Sequence, residues 1–360
     1  MKIGITGLEA SGKTTIFNAL TGEKSNYSRS YKELNIASVK VPDWRLDRLY
    51  EMFKPKRKIN ATIEFVDIRG IEGIEESRKG FGTDIISNMK NCDALLPVIR
   101  LFEDDTIPHP EGSIDPVRDI DIVNTELMIS DMDILESRIK KLEKLVGRKK
   151  DEGEKEELDL LLKCKAYFDE EKPLREAEFS PEEEKLLRGF QFLTLKPLIY
   201  VLNIDERSIS GADTLLIPIK EKFKKKNCEV IVFCGKIEEE LSQMEDNDAD
   251  EFRKEYNIEE SAIKKLIRVS YDLLGLISFF TMVEKEVKSW TIPSGTRAKS
   301  AAGIIHTDME KGFIKAEVIP VEELLKSGSI SKCREKGILR LEGKDYIVQD
   351  GDFITFKFAR

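Results

Sequence analysis

The sequence predicts a doubly wound α/β fold with a mainly parallel sheet, interrupted by a helical insertion and followed by a small α+β domain. Three observations lead there. Short apolar stretches at 3–6, 63–66, 94–99, 198–202 and 230–233 are separated by helix-length segments, the mark of a parallel sheet. Met128, Met132, Leu135, Ile139, Leu142 and Val146 alternate spacings of four and three, a heptad stripe with charges between. Beyond about Phe280, turn residues punctuate short segments in which polar and apolar residues alternate.

The elements follow in order. The strand at 3–6 runs into a glycine-containing loop, and 14–20 reads as a helix. After the strands at 63–66 and 94–99 the chain leaves the sheet near residue 120 and returns near Pro197 for the last two strands. The heptad stripe, a charged turn over 147–157 and a second helix from about Leu158 make two antiparallel helices joined at their tip. A further helix around 182–190 leads back to the sheet. Pro293-Ser294-Gly295, Gly312, Gly343 and Asp350-Gly351 mark turns around strands at 313–319 and 352–358. The expected division is 1–120 and 196–279 for the α/β domain, 121–195 for the insertion and 280–360 for the terminal domain.

The bulk numbers narrow the class. The 360 residues exceed one ordinary core. The net charge of −9 argues against a globally basic nucleic-acid binder, and no DNA sequence readout is expected. From Thr281 onward, 14 Lys/Arg face 12 Asp/Glu, a local balance of +2 that suits an anionic partner. Five dispersed cysteines and two histidines fit reduced thiols in the cytoplasm rather than a disulfide framework or a His-rich metal site. No apolar run nears the ~18 residues of a membrane helix, and the first residues do not read as a signal peptide.

The chemistry concentrates in Gly7-Leu8-Glu9-Ala10-Ser11-Gly12-Lys13-Thr14, which fits G-x-x-x-x-G-K-[ST] between a strand and a helix. In that context the glycines let main-chain N–H groups face phosphate oxygens, and the helix N-terminus adds its positive end. Lys13 is expected at the β- and γ-phosphates, Thr14 on Mg²⁺ and Thr15 at the α-phosphate. Asp67 and Gly70, a D-x-x-G pair 53 residues beyond Thr14, fit a carboxylate behind Mg²⁺ and an amide for the γ-phosphate. The strand at 198–202 ends in Asn203-Ile204-Asp205-Glu206, where guanine-specific proteins carry N-K-x-D. Ile204 replaces the lysine, and the acid Glu206 is one methylene longer, which favours adenine over guanine. Cys234 and Gly235 follow the last strand, where main chain meets the base; a buried structural thiol is the expectation for Cys234.

These segments resemble the Obg-like ATPase, or YchF-type, family over nearly the whole chain. The likeness extends through Phe65-Val66-Asp67-Ile68, Asn124-Thr125-Glu126-Leu127, Phe192-Leu193-Thr194-Leu195-Lys196-Pro197, Ser289-Trp290-Thr291-Ile292-Pro293, the run from His306 to Ile314, and Glu342-Gly343-Lys344-Asp345-Tyr346-Ile347-Val348. The resemblance implies a G domain, an inserted helical hairpin and a C-terminal TGS domain. It also implies ATP in preference to GTP, and association with the ribosome or RNA. Ile71 matches the family's hydrophobic replacement of the catalytic glutamine. Two features depart from the pattern. Glu9 stands where the family has proline, and residues 26–35 lack the threonine that completes Mg²⁺ coordination, leaving Ser28 or Ser30 as substitutes.

With Ile71 apolar, His109 is the candidate for orienting the hydrolytic water, on the family's histidine position and its ordinary pKa near ~6.5. Its alternative is a plain loop histidine between Pro108 and Pro110. Gly80-Phe81-Gly82 matches the family's mobile switch or is a plain turn. His306 reads as structural or partner-facing, and Trp290 as packing. The expected function is a slow, Mg²⁺-dependent ATPase switch. The alternatives are a GTP-preferring switch, or a ribosome- or RNA-binding module with nucleotide as a regulatory ligand and negligible turnover. A P-loop kinase is disfavoured, because the insertion lacks an arginine-studded lid.

Overall fold

The computed structural model describes residues 1–22, 34–68, 81–146, 152–223, 227–256, 258 and 260–359. The chain divides into two compact units, Met1–Ser38 with Glu64–Leu266 and Val39–Ile63 with Ile267–Arg360. Among the described residues, the strands in chain order are β1 (Lys2–Thr6), β2 (Asn35–Lys40), β3 (Arg57–Ile59), β4 (Thr62–Asp67), β5 (Ala94–Leu101), β6 (Leu198–Ile204), β7 (Cys228–Phe233), β8 (Leu276–Val283), β9 (Glu286–Pro293), β10 (Phe313–Pro320), β11 (Arg340–Glu342) and β12 (Asp352–Phe358).

The first unit carries a sheet in the order β2-β4-β1-β5-β6-β7. β1 pairs in parallel with β4 and β5, and β6 in parallel with β5 and β7. β6 is buried along its whole length and β5 almost so, which is why both read as continuous apolar runs rather than alternating ones. Loops that follow parallel strands gather at one edge of the sheet. The phosphate loop after β1, Asp67 at the end of β4, Phe102 after β5 and Asp205 after β6 therefore meet there.

The insertion is a pair of helices, Pro116–Val146 and Glu152–Asp169. The heptad stripe supplies its seam: Leu135, Ile139 and Leu142 are buried in one cluster with Leu160, Leu161, Cys164 and Phe168. The first helix starts well before the stripe, and its early residues Ile120, Val123 and Leu127 join the core of the sheet. The second begins at Glu152, so residues 152–157 of the charged run expected to be a turn are helical; Glu152 and Glu154 suit the positive helix end. Residues 147–151 lie outside the described residues. Arg138 donates to both carboxylate oxygens of Glu157 at 2.7 Å. The return helix is Pro181–Leu187, capped by Ser180 and Glu183 reciprocally.

Asp131 ties the insertion to the sheet. Its fully buried carboxylate accepts from the Leu193 amide at 2.9 Å and from the Thr194 amide and hydroxyl at 2.8 and 2.7 Å. Burial nonetheless pushes its pKa up to about 6. The anchor lies immediately before β6, so it fixes where that strand enters.

The second unit holds the sheet β11-β10-β12-β8-β9-β3, mixed in direction. β10 and β12 occupy the alternating segments expected as strands. Residues 39–63, assigned from sequence to the α/β domain, belong here instead. In them the Trp44–Phe53 helix buries Leu46 and Leu49 against Phe280, Val287, Ile319, Leu324 and Phe353, and β3 pairs with β9. Trp290 packs beside Phe279, with ring centroids 6.3 Å apart, and donates to the Thr281 hydroxyl. His306 is exposed and caps the Thr307–Lys311 helix, its ring nitrogen accepting from the Asp308 amide. No helix among the described residues is long and apolar enough to cross a membrane.

Candidate nucleotide-binding site

At the sheet edge of the first unit lies a cavity of about 1030 Å³. One end is the loop before the Lys13–Thr21 helix. Gly12 sits at φ +91°, and a Cβ there would lie 2.1 Å from Asn203 Nδ2; Gly7 sits at φ +133°, where a Cβ would meet the Val98 carbonyl at 2.4 Å. Both positions therefore exclude side chains, and the loop's main chain stays bare. Lys13 Nζ donates to the carbonyls of Leu8 at 2.7 Å and Gly7 at 3.2 Å, so it arches over the loop it belongs to. Ala10, Gly12, Lys13, Thr14 and Thr15 line the cavity, with Asp67, 3% exposed, beside them. Gly7, Leu8 and Ser11 do not line it; they form the frame beneath. Glu9 lines its mouth and is exposed, so its carboxylate faces water, which screens it.

The other end is built on Asn203. This buried side chain donates from Nδ2 to the Ser11 carbonyl at 3.0 Å and accepts at Oδ1 from the Gly235 amide at 3.0 Å. One amide thus ties the phosphate loop to the start of the Gly235–Leu241 helix after β7. Ile204 and Glu206 line the cavity, and Glu206 Oε1 lies 2.6 Å from Lys236 Nζ. Gly235 stands behind Asn203 rather than in the cavity wall. Cys234 is 6% exposed, and burial pushes its thiol up to about 11, so it is a neutral core group as expected.

Sequence reasoning passed over the third wall. Phe102, Glu103, Asp104, Asp105 and Ile107 follow β5 and line the cavity. Arg100, 3% exposed in β5, holds them: Nε donates to the Phe102 carbonyl at 3.0 Å, and the guanidinium lies 4.5 Å over the Phe102 ring. Its Nη1 is buried with no partner among the described residues. An arginine inside an otherwise apolar strand, followed by an aromatic at the strand's C-terminal end, was the available signal. Eight carboxylates line the cavity (Glu9, Asp67, Glu103, Asp104, Asp105, Asp205, Glu206 and Glu239) against Lys13, Arg207 and Lys236. Thr106 holds the Asp104 carboxyl below its usual range through its hydroxyl and amide, so that group is ionised at neutral pH.

His109 is placed elsewhere. Its ring is 5% exposed, Nε2 lies 3.0 Å from Asp119 Oδ2, and Nδ1 accepts from the Glu111 amide at 3.1 Å. Since Nδ1 accepts, Nε2 carries the proton and donates to Asp119. Arg118 grips the other oxygen of Asp119 at 2.8 and 3.0 Å. Gly70, Ile71, Gly80, Ser28 and Ser30 lie outside the described residues.

The family model for a 50S ribosome-binding GTPase matches residues 2–132. A second model, for the C-terminal domain of YchF GTPases and described as a protein of unknown function (DUF933), matches residues 276–359. The chain is 41% identical over 360 residues to the Ribosome-binding ATPase YchF of Bacillus subtilis, covering 99% of this chain and 98% of that one. It is 38% identical over 364 residues to Obg-like ATPase 1 of Caenorhabditis elegans, covering 99% and 92%. The solved YchF GTPase of Schizosaccharomyces pombe superposes with a TM-score of 0.88 at 33% identity, covering 99% of this chain and 97% of that one. With the phosphate loop on a parallel sheet and relatives this similar along its whole length, the chain belongs to the YchF/Obg-like ATPase family.

Proposed function

We propose that the protein is a nucleotide-dependent switch that binds ATP with Mg²⁺, hydrolyses it slowly to ADP and phosphate, and associates with the ribosome. The observation that carries this reading is one cavity lined at one end by Gly12–Thr15 and Asp67 and at the other by Asn203, Ile204 and a glutamate in place of the guanine-reading aspartate. The relatives' name, Ribosome-binding ATPase YchF, supports both the nucleotide and the partner. Docking through the helical insertion and the C-terminal domain, the latter of TGS type, belongs to the same proposal, as does a cytoplasmic location.

The lining fits a bound cation. A hydroxyl and a carboxylate, Thr14 and Asp67, are hard oxygen donors of the kind Mg²⁺ takes, and eight carboxylates around a polyanion need neutralising. Held there, Mg²⁺ would supply charge to the β- and γ-phosphates. Lys13 would exchange its two carbonyls for phosphate oxygens, and the loop amides would orient the transferring group.

Basal turnover is slow in this account because His109, the water-orienting candidate, has both ring nitrogens committed. The same observation favours the second reading, a ribosome-binding module with negligible turnover. Multi-turnover phosphate release, with and without ribosomes, separates them. Turnover that is slow alone and rises with ribosomes supports the switch. No release above background in either condition contradicts it and favours the binding module.

A further inference from the structure

We propose that Lys54, Lys56 and Lys285, on one edge of the second unit, form a docking surface for the phosphate backbone of duplex RNA; this rests on the ribosome-association reading above and names what the surface would meet there. The sequence carries Lys54-Pro55-Lys56-Arg57-Lys58, four cations in five residues. The fold places this run on the second unit, where β3 is the last strand of its sheet among the described residues. Charge divides the same way. The second unit has 22 Lys/Arg against 16 Asp/Glu, and the first has 37 against 52. The basic share of an acidic chain is therefore gathered on one body, and 39–63 supplies seven Lys/Arg against three Asp/Glu of it.

The main chain clamps the cations together. The amides of Lys56 and Arg57 both donate to the Lys285 carbonyl, at 2.7 and 3.2 Å, so the basic run lies against the turn between β8 and β9. Two of its cations are already matched: Arg57 with Glu286 at 3.2 Å and Lys58 with Asp47 at 2.6 Å. Lys54, Lys56 and Lys285 are exposed and have no acidic partner among the described residues. Three ammonium groups on one edge repel each other, and a polyanion relieves that by binding them together.

The neighbouring aromatic rings decide how RNA would be held. Single strands bind by stacking bases on open rings. Here the rings beside the cations are covered: Lys288 Nζ lies 3.6 Å over Trp290, and Lys58 Nζ lies 5.8 Å over Tyr50. Trp44 is exposed, but it stands at the other end of the Trp44–Phe53 helix from Lys54. The edge thus offers point charges without a stacking platform, which suits the phosphates of an A-form helix.

The test is equilibrium binding of the full chain, from 0.05 to 0.3 M salt, to purified ribosomes and to a 20-base-pair RNA duplex. Wild type, Lys56→Gln/Lys285→Gln, Lys56→Arg/Lys285→Arg and the control Lys299→Gln/Lys344→Gln are compared. The control removes two exposed lysines that the same unit carries elsewhere. Each phosphate contact contributes roughly 0.9 to the salt slope, so Lys56→Gln/Lys285→Gln is expected to bind both probes about 30-fold more weakly near 0.1 M salt, with a slope shallower by about 2. The arginine variant and the control are expected to stay within about threefold of wild type. The substituted side chains are exposed and the clamp is main chain, so thermal midpoints should not move. Wild type that binds ribosomes together with an unchanged Lys56→Gln/Lys285→Gln would overturn this assignment alone, as would an equal loss in the control, the mark of general attraction. A loss on ribosomes without a loss on the duplex would point to an acidic protein and overturn the RNA assignment. Wild type that fails to bind ribosomes would overturn the ribosome reading itself.

Discussion

The phosphate end of the cavity is made of main chain, whereas the base end is made of side chains. Around Gly7 and Gly12 the space left for a Cβ is 2.4 and 2.1 Å, so the sequence there has almost no freedom. Around Asn203, Glu206 and Lys236 the backbone only brings groups within reach, and the choice of side chain sets the chemistry. Main-chain amides bind any triphosphate. In the proposed reading, selection between bases resides at the other end, where side chains set the pattern of donors and acceptors. Asn203 is the joint, because its single amide touches both ends.

The largest effect is expected at the phosphate end. Lys13→Ala removes two charge-assisted contacts worth about 1.5–3 kcal/mol each. Affinity for ATP and GTP should fall by at least about 100-fold alike, with an unchanged thermal midpoint, as read by calorimetry and circular dichroism. Discrimination between the bases lost along with affinity would break the division of labour between the two ends.

Asp131, the anchor before β6, comes next. Its folded pKa of about 6 lies above the unfolded value of 3.8. A raised carboxyl pKa favours the protonated folded state, so this contribution is full below about pH 4 and is lost as pH rises through 6. The shift amounts to at most about 3 kcal/mol between pH 4 and 7. Asp131→Asn cannot titrate. The stability of wild type relative to this variant, from urea unfolding at pH 4, 5, 6 and 7, should decline across that range; a constant difference would show that the three hydrogen bonds outweigh burial.

Asn203→Ala should cost about 2 kcal/mol of stability, since it leaves the Ser11 carbonyl and Gly235 amide without their partner. It should also weaken ATP and GTP together, because the joint serves both ends. A loss confined to one nucleotide would mean that Asn203 reads the base directly. The smallest effect is expected at His109. His109→Ala should leave ATP affinity and ribosome-free phosphate release within about twofold, because its ring is held on Asp119 away from the cavity. A tenfold loss of ribosome-free turnover would show that His109 leaves Asp119 to orient the water.

The same contrast explains what the sequence disclosed. The phosphate loop was legible because only glycine fits at Gly12 and because β1 and the helix after it flank it in register. Five of the six strands of that sheet were legible as apolar runs, and the insertion as a heptad stripe. The excursion 39–63 was not. Its helix buries only Leu46 and Leu49, β3 has three residues, and both depend on partners such as Phe280 and Phe353 more than two hundred residues away. The wall from Phe102 to Ile107 was missed for a similar reason. Its acidic run reads as solvated charge until Arg100, buried in β5, is seen to hold it against the cavity. His109 was legible as a candidate by position, but its bond to Asp119 joins a loop residue to the first turn of the long helix ten residues on, a pairing no periodicity marks.

The central claim is that the base end selects adenine while the phosphate end is indifferent. Its most direct test is equilibrium binding of ATP and GTP to the nucleotide-free protein, side by side with Mg²⁺, by calorimetry. ATP bound at least tenfold more tightly, about 1.4 kcal/mol, is the predicted result. GTP bound as tightly or more so would contradict it, and would mean that Glu206 reads guanine.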